Sequence, residues 1–341
     1  IIGMLIAHLG TGHVVPGGWG EQWMWIFDGR SSALFATLAG VSIALMTRSI
    51  THDDSLGWRR ARVKIAIRAA ILLPLGIALQ LLGTPVVVIL VAYSVMFLMT
   101  LPVLRLPSRW LLAIAGAVVI IGPVVVLGLR DLTTGTVGPT TVNFGFGWGE
   151  LVTGYYPAGI WIAYLLVGMV VGRGALASRP YAAKLVAVGV VVAAAGYGLG
   201  KVLLGTVTTG DYPADVLFWP DVLLSTEPHS SSTFEVVGNI GVALSGIGLC
   251  LLATSGRVGA LALSPLAAAG SMSLTIYSVQ LVVLAILGDD AVWYPQSNVP
   301  LIALALASIA FAWGWRAILG QGPLERLLKV ASDASASRVG R

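Results

Sequence analysis

The stretch that decides the fold is Trp110 to Leu129, WLLAIAGAVVIIGPVVVLGL, twenty residues without a charge between Arg109 and Arg130. Coiled as a helix it is about 30 Å long, which matches the hydrocarbon thickness of a bilayer. It has no polar face to turn towards water. Nine further apolar stretches read the same way: Ile1 to Gly10, Ser31 to Thr47, Ile65 to Leu82, Pro85 to Leu104, Pro157 to Val171, Tyr181 to Leu204, Phe234 to Thr254, Ser264 to Leu287 and Val299 to Leu319. The first is too short to cross, so residues completing it are expected upstream of Ile1. It is not a signal peptide, since it has neither a basic n-region nor a small-residue cleavage site.

Composition agrees: 57% of the residues are hydrophobic and 10% charged, and 42 glycines suit close helix packing in lipid. The fold class expected is an all-α integral membrane protein, a bundle of about ten transmembrane helices with the first truncated at its N-terminus. A net charge of +5 might point to nucleic acid in a soluble chain, but here the basic residues are spread over short loops with no polar domain, so no nucleic-acid partner is expected. Cys250 is the single cysteine, which excludes an intrachain disulfide.

Orientation follows from charge. Alternating the loops puts 17 of the 20 Lys and Arg residues on one side, leaving Arg30, Arg130 and Lys201 on the other or in the membrane. Cytoplasmic loops retain Lys and Arg, so both termini are expected in the cytoplasm, in a multi-pass protein of the cell membrane. The outer side is acidic and holds the long connections, Leu9 to Arg30, Arg130 to Tyr156 and Gly205 to Thr233. These carry Trp19, Trp23, Trp25, Trp148 and Trp219, a residue that favours the interface. The chain reads as a single polytopic domain, residues 1 to 331, with halves 1 to 175 and 181 to 331 and a disordered tail from Ser332 to Arg341.

Three of the four histidines, His8, His13 and His229, map to the outer half. An imidazole in a membrane segment usually faces an interior cavity, where it serves as base or nucleophile; capping a carbonyl or pairing with a neighbouring helix is the alternative. His52, beside Asp53 and Asp54, reads as a solvated surface residue. Asp28 and Arg30 flank the mouth of the second helix, where Asp28 or Ser31 can cap, and Arg30 reads as an ion-pair partner of Asp28 or as the holder of an anion. In Glu227-Pro228-His229-Ser230-Ser231-Ser232-Thr233-Phe234-Glu235, the Ser/Thr run is an N-cap signal and Glu235 completes a capping box. Asn239 falls one turn deeper on the face of Glu235. Lys201 reads as a snorkelling residue. Tyr277 and Gln280, after Ser271, Ser273 and Thr275, form a polar stripe that glues helices or lines a cavity. Glycines 238, 241, 246 and 248 read as packing surface. There is no P-loop, H-E-x-x-H, cysteine cluster or G-x-S-x-G elbow, and no metal is expected.

The stretch FDGRSSALFATLAGVSIAL, Phe27 to Leu45, resembles the YeiB family, whose members share a DUF-type C-terminal region and a distant likeness to the heparan-α-glucosaminide N-acetyltransferase catalytic domain. Pro228 to Leu252, Pro265 to Gln280 and Gly322-Pro323-Leu324-Glu325 are similar to its later motifs, while Trp58 to Arg179 matches only in hydropathy. Members begin the first helix with an Asp…Arg-Gly element that this chain lacks. The resemblance implies acyl transfer across the membrane, from cytosolic acyl-CoA as co-substrate to an extracytoplasmic or envelope glycan or lipid acceptor.

On that implication His8, His13 or His229 takes the acyl group or deprotonates the acceptor, with Asp28 or Glu235 as orienter and Arg30 or Asn239 polarising the carbonyl; Tyr277 and Gln280 line the substrate. These groups are expected to meet in a polar chamber between the first, second and eighth helices. Arg59, Arg60, Arg62, Lys64 and Arg68 hold CoA phosphates, or simply follow the positive-inside bias. The rival is a proton-coupled small-molecule transporter using the same groups, although the sequence shows no inverted repeat. Membrane lipid is a partner on either reading, and self-association to a homo-oligomer stays open.

Overall fold

The computed structural model describes residues 1–13, 20–134, 152, 154–207 and 219–340. Trp19, Trp148, Glu150, Asp211 and Asp215, and the side chains of His13, Arg130, Asp131 and Trp219, lie outside the described residues. Among those described, every regular element is a helix. The first seven are α1 (Ile2–Leu9), α2 (Arg30–Thr47), α3 (Ser55–Gln80), α4 (Leu90–Thr100), α5 (Ser108–Thr134), α6 (Ala158–Arg173) and α7 (Arg179–Val207). There follow α8 (Trp219–Leu224), α9 (Thr233–Ala253), α10 (Arg257–Ala262), α11 (Ser264–Ser271), α12 (Ser273–Leu287), α13 (Asp289–Trp293), α14 (Val299–Leu319) and α15 (Pro323–Ser337).

Six helical segments are long and apolar enough to cross a membrane: Met24–Thr47, α3, Ser108–Leu129 of α5, α7, α9 and α14. A seventh is reached if α11 and α12 are one span, although they are bent by 80° at Met272. Proline bounds two of the expected segments. The run from Pro85 to Leu104 is helical only over the 11 residues of α4, which ends before Pro102, a residue without the N–H that a continuing helix needs. Pro157 fixes the start of α6, which has 16 residues.

Contacts divide the chain into two units that interleave along the sequence, and they do not coincide with the halves expected at 1 to 175 and 181 to 331. One comprises Ile1–Ser32, Asp54–Ser94 and Ala253–Arg341; the other comprises Ala33–Asp53 and Val95–Leu252.

In the first unit, α3 opens on Asp54, whose carboxyl oxygen accepts from Gly57 N at 2.7 Å, an N-cap bond. α15 packs along α3. Ser332 and Ala336 of α15 are buried, Lys64 pairs with Asp333 at 2.7 Å, and Arg60 Nε donates to the Val339 carbonyl at 3.3 Å. The tail expected from Ser332 is therefore corrected: its first six residues complete a helix, since small side chains at 332 and 336 let it lie against α3. α11, α12 and α14 share a core of Ala268, Ala269, Met272, Ile276 and Ala312.

In the second unit α6 is the centre, with Ile160 to Met169 buried on every face and α5 packed along it. Two close helix crossings surround it. A Cβ on Gly168 would fall within contact distance of the Thr37 carbonyl oxygen, and one on Gly40 would meet the Leu165 carbonyl, so α2 and α6 approach backbone to backbone. Gly238, Gly241 and Gly248 of α9 similarly meet α7, as packing surface; Gly246 has only Leu34 near it. Arg173, at the end of α6, donates to the carbonyls of Leu106 and Leu104 at 2.7 and 2.9 Å, and thereby satisfies the turn after α4.

The crossing has a testable cost. Gly168→Ala forces α2 and α6 apart and should destabilise the protein by about 2 kcal/mol, the usual range for overpacking. Gly159→Ala, on the same helix with open space at its Cα, should be neutral or slightly stabilising, because alanine has the higher helix propensity. Thermal denaturation in detergent compares the two.

Candidate functional site

The densest polar constellation of the second unit is built where a loop enters α9. Ser232 is its N-cap: its Oγ accepts from Glu235 N at 3.0 Å and donates to the Ser225 carbonyl. Glu235, in the first turn, is 2% exposed. Its carboxyl group reaches back to accept from His229 N at 2.7 Å, Ser231 N at 2.6 Å and Ser230 Oγ at 3.1 Å. This is a capping box carried three residues further upstream than its usual partner. Asn239, one turn on, donates through Nδ2 to Glu235 Oε1 at 3.1 Å and to the Tyr164 hydroxyl at 3.3 Å, while its Oδ1 accepts from the Tyr197 hydroxyl at 2.7 Å.

That carboxyl group holds a backbone shape which is otherwise unfavourable. His229 and Ser231 have φ of 61° and 56°, in the left-handed region that non-glycine residues seldom occupy. The conformation turns the His229 ring onto an aromatic seat. It stacks on Tyr155 with centroids 4.0 Å apart and planes at 29°, meets Tyr156 edge-on at 5.3 Å, and lies parallel to Trp161 at 6.1 Å. Glu235 thus positions His229 through the backbone, whereas the sequence suggested that it orients the ring. Ser230, Ser231 and Ser232 also line a small pocket walled by Pro123, Val126, Leu127, Ile160, Val222 and Leu223. The corner combines an imidazole, a hydroxyl bonded to a carboxyl group, and an apolar recess.

The first unit brings together a different set. Gln280 is fully buried in α12, and its Nε2 lies 3.0 Å from Nδ1 of His8 on α1. Three residues earlier on α12, Tyr277 accepts a bond from Ile89 N at 3.3 Å, at the entrance of α4. Thr11 and Asn298 are doubly bonded, through Thr11 N to Oδ1 at 3.0 Å and Nδ2 to Thr11 Oγ1 at 2.9 Å. Arg30 is held locally: its guanidinium donates to the Trp25 carbonyl at 3.0 Å and the Asp28 carbonyl at 3.2 Å, and lies 5.2 Å from the Trp25 ring. It therefore bonds the backbone of Asp28. His13 closes a short 3-10 turn, Thr11–His13, with its side chain outside the described residues.

The basic residues 59, 60, 62, 64 and 68 occupy the first turns of α3. Lys64 and Arg60 are engaged by α15 as described, and the Nε atoms of Arg62 and Arg68 are buried with no hydrogen-bond acceptor among the described residues. His52 contacts Asp53 at 3.2 Å on the surface, as expected.

Residues unmarked in the sequence complete both sets. Tyr155 and Tyr156, from the bend before α6, Trp161 and Tyr164 of α6 and Tyr197 of α7 reach the α9 corner, and nothing local announces them. Glu325 was quoted only within a motif, yet its carboxyl group caps the second half of the broken helix: it accepts from Leu274 N at 2.7 Å, Thr275 N at 3.0 Å and Thr275 Oγ1 at 2.6 Å.

Compared with known families, residues 213–334 match the model described as "Protein of unknown function (DUF418)", a segment that begins before α8 and contains α9 to α14. No curated protein and no solved structure matches the chain.

Removing the latch should release the corner. Glu235→Ala leaves the N–H groups of His229 and Ser231 without their acceptor and should cost at least about 3 kcal/mol, since each buried unsatisfied donor costs 1–3 kcal/mol. Glu235→Gln keeps the bonds at Oε1 and lets the Ser230 hydroxyl turn to accept, so its melting temperature in detergent should fall between wild type and the alanine variant.

Proposed function

We propose that the chain is a transmembrane acyltransferase of the YeiB type, a bundle of about ten membrane segments with both termini cytoplasmic, related to the heparan-α-glucosaminide N-acetyltransferases. It moves an acyl group from cytosolic acyl-CoA to a glycan or lipid acceptor on the outer side of the cell membrane. The observation that carries this reading is the α9 corner. Buried ionisable groups are expensive in a membrane protein, and there His229, Ser230 and Glu235 stand together, with Ser230 also lining a small, mainly apolar recess.

In the proposed step the His229 imidazole takes the proton of the acceptor hydroxyl or amine. The freed lone pair attacks the thioester carbonyl, the carbon–sulfur bond breaks, and the CoA thiolate leaves with the proton returned by the imidazolium. Glu235 positions the loop, and Asn239 holds Glu235 in turn. His8, supported by Gln280, is the second candidate base, and His13 the third. With His8 as the base, Asp28 and Arg30 hold the mouth of α2, and Tyr277 lines the substrate. Arg59, Arg60, Arg62, Lys64 and Arg68 hold the CoA phosphates.

A second reading is a proton-coupled transporter or exporter. One observation favours it: the 80° bend between α11 and α12 is the kind of broken helix that transporters build around substrates.

Membranes containing the protein, given radiolabelled acyl-CoA, should transfer label to an extractable lipid or glycan. His229→Ala should lower the rate by about a hundredfold or more, the usual contribution of a general base. Loss of labelling in His8→Ala with His229→Ala unaffected moves the base to α1. Solute uptake into proteoliposomes driven by a pH gradient, with no binding of acyl-CoA, replaces the enzyme by the transporter.

A further inference from the structure

The last helix carries its apolar stripe on the outside. Along α15, Pro323, Leu327, Val330 and Ala334 recur at i, i+4, i+7 and i+11, which is one face of a helix, and all four are exposed, Leu327 at 54% and Val330 at 60%. The opposite face, with Glu325, Ser332 and Ala336, is turned inward against α3 and α12. A helix that lay against water would show the reverse.

Its charges are sorted as well. Both acids of α15 are engaged within the protein, Glu325 with the start of α12 and Asp333, whose side chain is 46% exposed, with Lys64. Arg326 and Lys329, and Arg338 one residue beyond the helix, are exposed. The outer surface therefore offers an apolar stripe edged by three exposed cations, with the one acid on that edge, Asp333, already paired with Lys64.

Position along the chain supplies the third element. Only Gly320, Gln321 and Gly322 separate α15 from α14, a candidate membrane span. The last turns of α14 expose Ile318 and Leu319, and Trp315, a residue typical of the membrane boundary, donates through its indole N–H to the Gln321 carbonyl at 3.0 Å. A spanning α14 would therefore bring the start of α15 to the bilayer surface.

We propose that α15 is an interfacial helix, with Leu327 and Val330 seated at the headgroup and acyl boundary of the leaflet where α14 ends, and with Arg326, Lys329 and Arg338 binding the headgroups of anionic lipid. The assignment is independent of the acyl-transfer reading.

The test uses the full chain with Cys250→Ser and a single cysteine, Leu327→Cys or Val330→Cys, labelled with an environment-sensitive fluorophore. Asp53→Cys, at a fully exposed loop position, is the water-facing control. The chain is reconstituted into phosphatidylcholine vesicles with and without phosphatidylglycerol. The probes at 327 and 330 should be quenched by lipid that carries a nitroxide near the headgroup, and should be several-fold less accessible to aqueous iodide than the control. Phosphatidylglycerol should deepen the protection, and the triple variant R326Q/K329Q/R338Q should abolish that increment. Iodide access equal to the control in both vesicles overturns the proposal. So does protection that is insensitive to lipid charge, or protection that falls on dilution of the protein and is accompanied by energy transfer between labelled copies, which would make the occupant a second chain.

Discussion

In a solvent that cannot form hydrogen bonds, the first N–H groups of every helix need acceptors from the protein itself, and each unit of this chain supplies one with a buried or half-buried carboxyl group. Glu235 accepts two backbone N–H groups of the loop that enters α9, and Glu325 accepts two at the start of α12. Both sit where a helix begins. Without them the loop at His229 and the break at Met272 would leave donors unanswered, at a cost of several kcal/mol for each group in hydrocarbon. The two irregular places in the fold are therefore as firmly determined as its regular helices.

Irregularity at those places is what makes chemistry available. A continuous helix hides its backbone and spreads its side chains at fixed intervals, whereas the corner before α9 gathers an imidazole, three hydroxyl groups and a carboxyl group within seven residues, Ser230 to Ser232 among them. The left-handed residues His229 and Ser231 are tolerated because Glu235 and the Tyr155 stack hold them. Close crossings at Gly40 with Leu165 and at Gly168 with Thr37 fix α6, and α6 carries Trp161 and Tyr164 to the corner. Packing by the smallest residues thus positions the largest.

What was legible in the sequence was local. Apolar length located the span in α5 to within a few residues, and Ser232 with Glu235 announced a cap because both partners lie within one turn of each other. What depends on distant partners was hidden. Met272 has neither proline nor glycine beside it to signal a break, and the acceptor that stabilises the break, Glu325, comes about fifty residues later. The aromatic seat of His229 comes from the start of α6, and its only local sign, Tyr155-Tyr156 before Pro157, has no spacing rule. The Ser-Asp-Ala-Ser-Ala-Ser run of α15 reads as a tail by hydropathy, since its reason for being helical is the small-residue contact with α3. For Arg30 the sequence suggested an ion-pair partner of Asp28 or the holder of an anion; the structure adds two bonds from its guanidinium to main-chain carbonyls, which no sequence rule announces.

The Glu325 cap also imposes an order on biogenesis. Leu274 and Thr275 emerge from the ribosome well before Glu325, and the whole of α14 is made in between. During that interval the half-helix beginning at Ser273 has no carboxyl partner, so it must be inserted unfinished, shielded by water, lipid headgroups or the insertion machinery. The kink at Met272 becomes permanent only when α15 folds back against it, which makes the docking of that helix a step of assembly later than the synthesis of α14.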